Sequence, residues 1–264
     1  AAELNVVVTS KPIHSLVAGV MAGAGTPRLL LAGNVSPHTY SLKPSDAKAL
    51  NAADVVYRVS EGLEPFTAKV FKTLPKSVRT FSLAEAPGLT LLVKRRGGAF
   101  DDHGHGGAAQ DHAHAHAKKN TDSADRDPHV WLDPGNAKRM VEHIASTLSA
   151  ASPKDVETFR INAARLAERL DVLSSELELD LKPLSGKPFV VFHDSLQYLE
   201  ARYRLAAVGS ITVSPEQQPS ARRISELRKK ITSLAAVCVF SEPQFPAKLI
   251  DSLSEGTKAK SAVV

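Results

Sequence analysis

The stretch LNVVVTSKPIHSLVAGVMAGAGTPRLLLAG, residues 4–33, decides the fold of this chain. Residues 4–10 and 27–33 are short apolar runs rich in Val and Leu, which is typical of strands buried on both faces. Residues 13–23, between them, carry apolar side chains at helical spacing. A strand, a helix and a second apolar strand in this order predict a parallel sheet covered by helices.

The same alternation continues through two separate parts of the chain. Further strands are predicted at 54–60, 78–83, 188–194, 206–213 and 235–242. Further helices are predicted at 43–53, 65–74, 195–205, 220–234 and 246–256. The predicted fold class is therefore α/β, with two halves that each contain a parallel sheet. The last residues, KAKSAVV, have the pattern of one more strand, which predicts that the natural protein continues.

The longest helical pattern lies between these halves, from Pro153 to Leu181. Its apolar stripe consists of Leu166, Leu170, Leu173 and Leu177. At 1.5 Å per residue this helix is about 40–45 Å long, which exceeds one small lobe and predicts a rigid strut along both. The predicted divisions are an N-terminal lobe at 1–151, a linker helix at 152–183 and a C-terminal lobe at 184–264.

Composition and charge narrow the class of protein. The 264 residues are 43% hydrophobic and 23% charged, as in an ordinary globular chain, with a formal net charge of +5. The basic runs 94–96 and 228–230 have no interleaved aromatic residues, so we interpret them as solvated faces and expect no nucleic-acid partner. No apolar run reaches the roughly 18–20 residues of a membrane span. The start, AAELNVVV, fits cleavage at a small-residue site and hence export.

The segment DDHGHGGAAQDHAHAHAKKN, residues 101–120, carries five of the ten histidines. It lies within a predicted loop at 99–126 that has few large apolar side chains. Two interpretations remain open here, a polar insertion without a metal role and a weak multidentate metal collector. Ordering a free loop opposes tight binding, so we expect at most a secondary, weak metal site. Its candidate ligands are His103, His105, His112, His114 and His116.

Three other histidines are better candidates for a principal metal site. His38 follows the second predicted strand, His129 lies in DPHVWLDP, and His193 ends the predicted strand at 188–194. Open α/β sheets bind ligands at such strand-to-helix connections. Neutral imidazoles suit Zn, Cu and Ni, so the three together predict one three-imidazole metal site assembled by the fold.

At these residues the sequence resembles the zinc-specific periplasmic solute-binding proteins of ABC importers. The resemblance covers nearly the whole chain, and DPHVWLDP is its most specific motif. It also rests on SPHTYSLKPSDAKALNAADVV, FHDS, FSEPQF and the His-rich loop ahead of DPHVWLDP.

The resemblance implies two Rossmann-like lobes joined by one long helix, with Zn²⁺ bound between them by His38, His129 and His193. Some family members have a Glu before the first histidine, where this chain has Pro37. The implied fourth ligand is water or an acidic residue beyond Val264. The single cysteine, Cys238, is either a buried small residue or, as in some members, half of a disulfide whose partner lies outside this chain.

The implied function is capture of Zn²⁺ in the periplasm and its delivery to the membrane permease of an ABC importer, by a non-enzymatic and monomeric protein. A manganese or iron receptor of the same family cluster is one alternative. A zinc-dependent hydrolase is another, because three histidines and an open position are also a catalytic arrangement. An adhesin or a metal buffer without a transporter also remains open.

Overall fold

The structure is a computed structural model of the chain. It describes residues 3–95, 100, 125–212, 220–233, 236–243 and 247–263. The five candidate ligands of the His-rich segment, at 103, 105, 112, 114 and 116, lie outside these ranges.

The first sheet has four parallel strands in the order β2-β1-β3-β4. They are β1 (Val6–Val8), β2 (Arg28–Leu29), β3 (Val55–Arg58) and β4 (Arg79–Ser82). β1 and the first three residues of β3 are buried. Every strand predicted in this half is present but shorter, because pairing ends where the chain turns toward the next helix.

Helices cover both faces of this sheet. They are α1 (Lys11–Met21), α2 (Pro44–Asn51), α3 (Thr67–Thr73) and α4 (Pro134–Ala151). One face packs against α1 and α4 through a core that includes Tyr57 and Met140. The other face packs Val56 and Leu50 with the side chains of α2 and α3. The chain therefore buries the strands on both sides, as their apolar sequences require.

The long helix α5 (Val156–Leu181) begins after a 3₁₀ turn at Pro153–Asp155. Its 26 residues span about 39 Å at 1.5 Å per residue. It packs against α1 and α4 and reaches α6 (Gln197–Tyr203) near its other end. The predicted four-leucine stripe is only partly correct. Leu166 and Leu170 join the N-terminal core, but Leu173 is 43% exposed because the helix has passed the edge of that core.

The second sheet repeats the first, with parallel strands in the order β6-β5-β7-β8. They are β5 (Pro188–His193), β6 (Ala206–Thr212), β7 (Cys238–Ser241) and β8 (Lys260–Val263). The helices α7 (Ala221–Ser233) and α8 (Ala247–Ser254) pack on it. The predicted α/β class with two parallel sheets is confirmed. The boundaries of the predicted lobes stay a prediction.

Cys238 is half-buried in β7, and it is the chain's only cysteine. Within the described ranges, every helix is too short or too polar to cross a lipid bilayer.

Candidate metal centre

Three histidine side chains converge at the carboxyl ends of the two sheets. His193 is the last residue of β5, and His38 lies in the connection between β2 and α2. His129 directly precedes a 3₁₀ turn at Val130–Leu132, which leads into α4. In each sheet the chain runs from the first strand, β1 or β5, to a neighbour on one side. It then crosses over and adds the next strand on the other side of that first strand. This is the position where open α/β sheets bind ligands.

The spacing of the three rings matches one shared ion. One nitrogen from each of His38, His129 and His193 lies within 4.8 Å of the others. The Nε2 atoms of His129 and His193 are 3.2 Å apart. Two imidazoles on a tetrahedral zinc with Zn–N of about 2.0–2.1 Å place their nitrogens about 3.3 Å apart. The pair therefore has the separation of two ligands on one tetrahedral zinc.

Two carboxylates orient these rings from behind. Asp127 Oδ1 lies 2.7 Å from His129 Nδ1, and Glu242 Oε1 lies 2.8 Å from His193 Nδ1. The Ser195 hydroxyl also donates to Glu242 Oε1, at 2.8 Å. A carboxylate on Nδ1 fixes the tautomer that presents the Nε2 lone pair and makes the imidazole a better metal ligand.

His38 completes the centre from the N-terminal side. Its ring centroid is 5.5 Å from the centroids of both His129 and His193. Its Nε2 is buried and has no hydrogen-bond partner among the described residues. Burial, followed by the positive charges that His129, His193 and Lys94 can carry, lowers the pKa of His38 from 6.5 to about 3. The imidazole is therefore neutral at physiological pH, as a metal ligand must be.

A short antiparallel stem holds the backbone before His129. Val93 pairs with Arg126, and Leu92 O accepts from Asp127 N–H at 2.9 Å. The buried Tyr198 of α6 joins both strands of the stem. Its hydroxyl donates to Asp127 O and accepts from Leu92 N–H, each at 3.0 Å. The segment that carries His129 is thus attached to the C-terminal half.

An ion-pair cluster beside the stem makes a second connection between the halves. Arg95 binds Glu200 through two nitrogens, at 2.7 and 2.8 Å, and also binds Asp194, at 2.9 Å for one contact. Its guanidinium lies 3.8 Å from the centre of the Phe100 ring. Interpreting residues 94–96 as a solvated face is wrong for Arg95, whose side chain is only 22% exposed. Asp194, directly after His193, is directed to this cluster.

Replacing Arg95 with alanine should destabilise the protein, because it leaves two poorly exposed carboxylates without their cation. We expect the unfolding free energy to fall by about 2–3 kcal/mol. This is less than the roughly 3–5 kcal/mol lost when one partner of a fully buried ion pair is removed. Zinc should also dissociate faster, because Asp194 adjoins His193. Chemical denaturation and stopped-flow chelator competition measure the two effects. Arg139→Ala, which breaks an exposed pair with Glu142, is the control. Equal effects of the two variants would contradict this role.

A profile of the family described as "Zinc-uptake complex component A periplasmic" matches residues 6–264. The chain belongs to this family. Among curated relatives, the high-affinity zinc uptake system protein ZnuA of Brucella abortus is 44% identical, over 98% of this chain and 83% of its own length. The protein of the same name from Yersinia pestis is 31% identical, over 100% of this chain and 83% of its own length.

Solved structures of this family have the same architecture. A crystal structure of ZnuA superimposes with a TM-score of 0.79 at 25% identity, covering 98% of this chain and 90% of that one. The Zn(II)-bound ZnuA-like domain of Streptococcus pneumoniae AdcA gives 0.76 at 27% identity, covering 99% and 87%. These matches confirm the resemblance to this family and the two-lobe fold.

The sequence predicts the three histidines that the structure brings together, but not the carboxylates that contact their rings. Asp127 lies in DPHVWLDP and Glu242 lies in FSEPQF, but the motifs alone assign neither residue a role. Asp127 could have been found from its position two residues before His129. Glu242 has no such local signal, because it meets His193 only through the pairing of β5 and β7. Arg95 looked like one residue of an ordinary basic run.

Proposed function

We propose that this protein captures Zn²⁺ in the periplasm and delivers it to the membrane permease of an ABC importer. The carrying observation is the cluster of His38, His129 and His193, whose ligand atoms lie within 4.8 Å of one another. Family membership supports the proposal, because the relatives from Brucella abortus and Yersinia pestis are named as zinc uptake proteins. Zinc is the cargo, and the three imidazoles are its proposed ligands.

The ligand set favours zinc over manganese or iron. Within the described ranges the converging group contains three imidazoles and no carboxylate. Mn²⁺ prefers carboxylate and other oxygen ligands, whereas imidazole suits zinc, copper and nickel. Nitrogen ligands alone do not reject Cu²⁺ or Ni²⁺. The 3.2 Å separation of the His129 and His193 nitrogens suits tetrahedral zinc, whereas Cu²⁺ and Ni²⁺ favour square-planar or tetragonal sites.

The surroundings of the ligands suit capture better than catalysis. A zinc hydrolase needs a general base beside the metal-bound water. The nearest carboxylates, Asp127 and Glu242, contact the Nδ1 atoms of the two rings, on the side away from the shared ion. Asp194 is paired with Arg95. We therefore propose reversible binding without a chemical step.

Release should begin at His38. His129 and His193 are each held by a carboxylate and lie on segments connected across the halves. His38 lies in a long connection between β2 and α2, where residues 32–35 are exposed. Rearrangement of this connection removes one ligand while the lobes keep their arrangement. The permease then receives an ion held by two imidazoles.

Zinc titration of the untagged protein tests the proposal. The only tryptophan, Trp131, has its ring centre 5.5 Å from that of His129 and reports binding by fluorescence. We expect one tight zinc site, weaker binding of Mn²⁺, and an unchanged tight site in a variant lacking residues 101–120. Loss of the tight site in that variant would assign zinc capture to the His-rich segment instead. Absence of tight zinc binding in the full chain would refute the proposed function.

A further inference from the structure

The histidine centre opens into a cavity of about 630 Å³. Pockets for small organic ligands have about 300–1,000 Å³, whereas one water occupies about 30 Å³. The cavity is therefore much larger than a zinc ion with one or two waters requires. Its wall is mostly apolar and includes Leu31, Leu63, Trp131, Leu196 and Leu199. A space of this size and polarity fits the body of an organic molecule.

One polar part of the wall is the amino-terminal end of α1, where Ser10, Lys11 and Pro12 line the cavity. Ser10 is the N-cap residue, but its side chain makes no capping hydrogen bond. It is 5% exposed, and its Oγ has no hydrogen-bond partner among the described residues. The start of a helix carries partial positive charge, and Lys11 adds a full one. This end of the cavity therefore favours an anion.

The coordination number of zinc allows an exogenous fourth ligand, and the charges nearby allow that ligand to be an anion. Zinc takes four ligands in tetrahedral sites, and three protein ligands converge within the described ranges. Asp127 and Glu242, through their imidazoles, balance the two positive charges of the ion. A negatively charged fourth ligand needs one more positive charge nearby. Lys11 and the start of α1 provide it.

We infer that the cleft binds zinc together with a small organic carboxylate that has an apolar body. One carboxylate oxygen takes the fourth position on zinc, and the other faces Ser10 and Lys11. The apolar body packs against the leucines and Trp131. The inference rests on the proposed function, because it requires the ion in the cleft. The proposed cargo is zinc together with this carboxylate. The carboxylate either binds as a free molecule or enters already bound to zinc as a chelate.

The test is zinc titration of the full chain against a competing chelator, with hexanoate, L-leucine or hexanol added. Hexanoate presents a free carboxylate, L-leucine chelates zinc through its amine and carboxylate, and hexanol lacks the charge. We expect a carboxylate to tighten zinc binding roughly tenfold, and hexanol to have no effect. Zinc must then raise the affinity for that carboxylate by the same factor, which NMR titration measures independently.

Three variants locate the effect. The variants Ser10→Ala and Lys11→Ala, the latter at an exposed residue, should bind zinc as tightly as the wild type when no carboxylate is present. They should lose most of the increase in zinc affinity that the carboxylate causes. Lys48→Ala, in α2 beside a different groove, should retain it. Tightening by hexanoate assigns a free carboxylate, and tightening by L-leucine alone assigns a chelate. No tightening by either, or tightening that survives in both Ser10→Ala and Lys11→Ala, would overturn the inference. Zinc binding would then stand, so the proposed function is judged separately.

Discussion

Replacing His193 with alanine is expected to abolish tight zinc binding. His193 supplies a nitrogen 3.2 Å from that of His129, so its loss removes one of the three proposed ligands. The affinity should fall by more than about 100-fold, since even the partners that orient ligands are worth about 10–100-fold. Competition with a chromophoric chelator measures the change. The same loss is expected for His38→Ala and His129→Ala.

A matched histidine separates this effect from a general loss of imidazole. His143 lies in α4, where its ring packs edge-on against Phe81, and His143→Ala should keep the wild-type affinity. Asp127→Asn should give an intermediate loss of about 10–100-fold, because His129 remains but is oriented less well. Wild-type affinity in all three single variants of the centre would show that these imidazoles do not share an ion.

The second large effect concerns Glu64, which is fully buried in the loop after β3. Its Oε2 accepts from the N–H groups of Val59 and Ser60, at 2.8 and 3.1 Å, and the Thr9 hydroxyl donates to Oε1. Burial raises the pKa of Glu64 from 4.5 to about 7, against these hydrogen bonds and the attraction of Arg58, which lower it. The carboxyl is therefore protonated in the folded protein at pH values where the unfolded chain has already ionised it.

The sign of the pH dependence follows from this raised pKa. The stabilising contribution is complete below about pH 4.5 and is lost as pH rises through about 7. A difference of about 2.5 pKa units corresponds to about 3 kcal/mol. Glu64→Gln cannot ionise and keeps a similar hydrogen-bonding shape. Its unfolding free energy relative to the wild type should therefore increase by about 2.5 kcal/mol between pH 5 and pH 8, because part of the total is already lost at pH 5.

Urea denaturation of both proteins across this pH range measures that difference, and titrations shared by the two proteins cancel in it. The control is Glu61→Gln, because Glu61 is 58% exposed and should show no comparable change. A constant difference between Glu64→Gln and the wild type from pH 5 to pH 8 would show that burial does not control this carboxyl.

Most of the fold could be predicted because the decisive pattern is local. Val6–Val8, Lys11–Met21 and Val55–Arg58 each show their type by the spacing of apolar residues. Strand ends were less predictable, and β2 forms only at Arg28–Leu29 although the apolar run continues to Leu31. Leu30 and Leu31 are buried and still donate backbone hydrogen bonds to Val8 O and Thr9 O, at 2.8 and 3.0 Å, although the regular strand has ended. Apolar character indicates burial, and it does not by itself specify a strand.

The centre was predictable only as far as its chemistry is visible in residue type. Three histidines on or next to strand-to-helix connections suggest a shared ion, and the structure brings them together. Their partners are common residues whose roles depend on contacts between distant segments. Arg95 and Glu200 are 105 positions apart, and Leu92 and Tyr198 are 106 apart. Such pairings follow from tertiary packing, which periodicity in one sequence does not encode.

The stem that Tyr198 holds has a consequence for how this protein can diversify. The two strands of the stem are joined to each other and to α6. These contacts, rather than the residues between the strands, fix the path of the backbone that leads to His129. Residues 101–120, which follow Arg95 and Phe100 in the sequence, can be lengthened, shortened or exchanged while the backbone leading to His129 keeps its course. The sequence of the His-rich insert can therefore change, in evolution or by design, without a change in the three histidines of the centre.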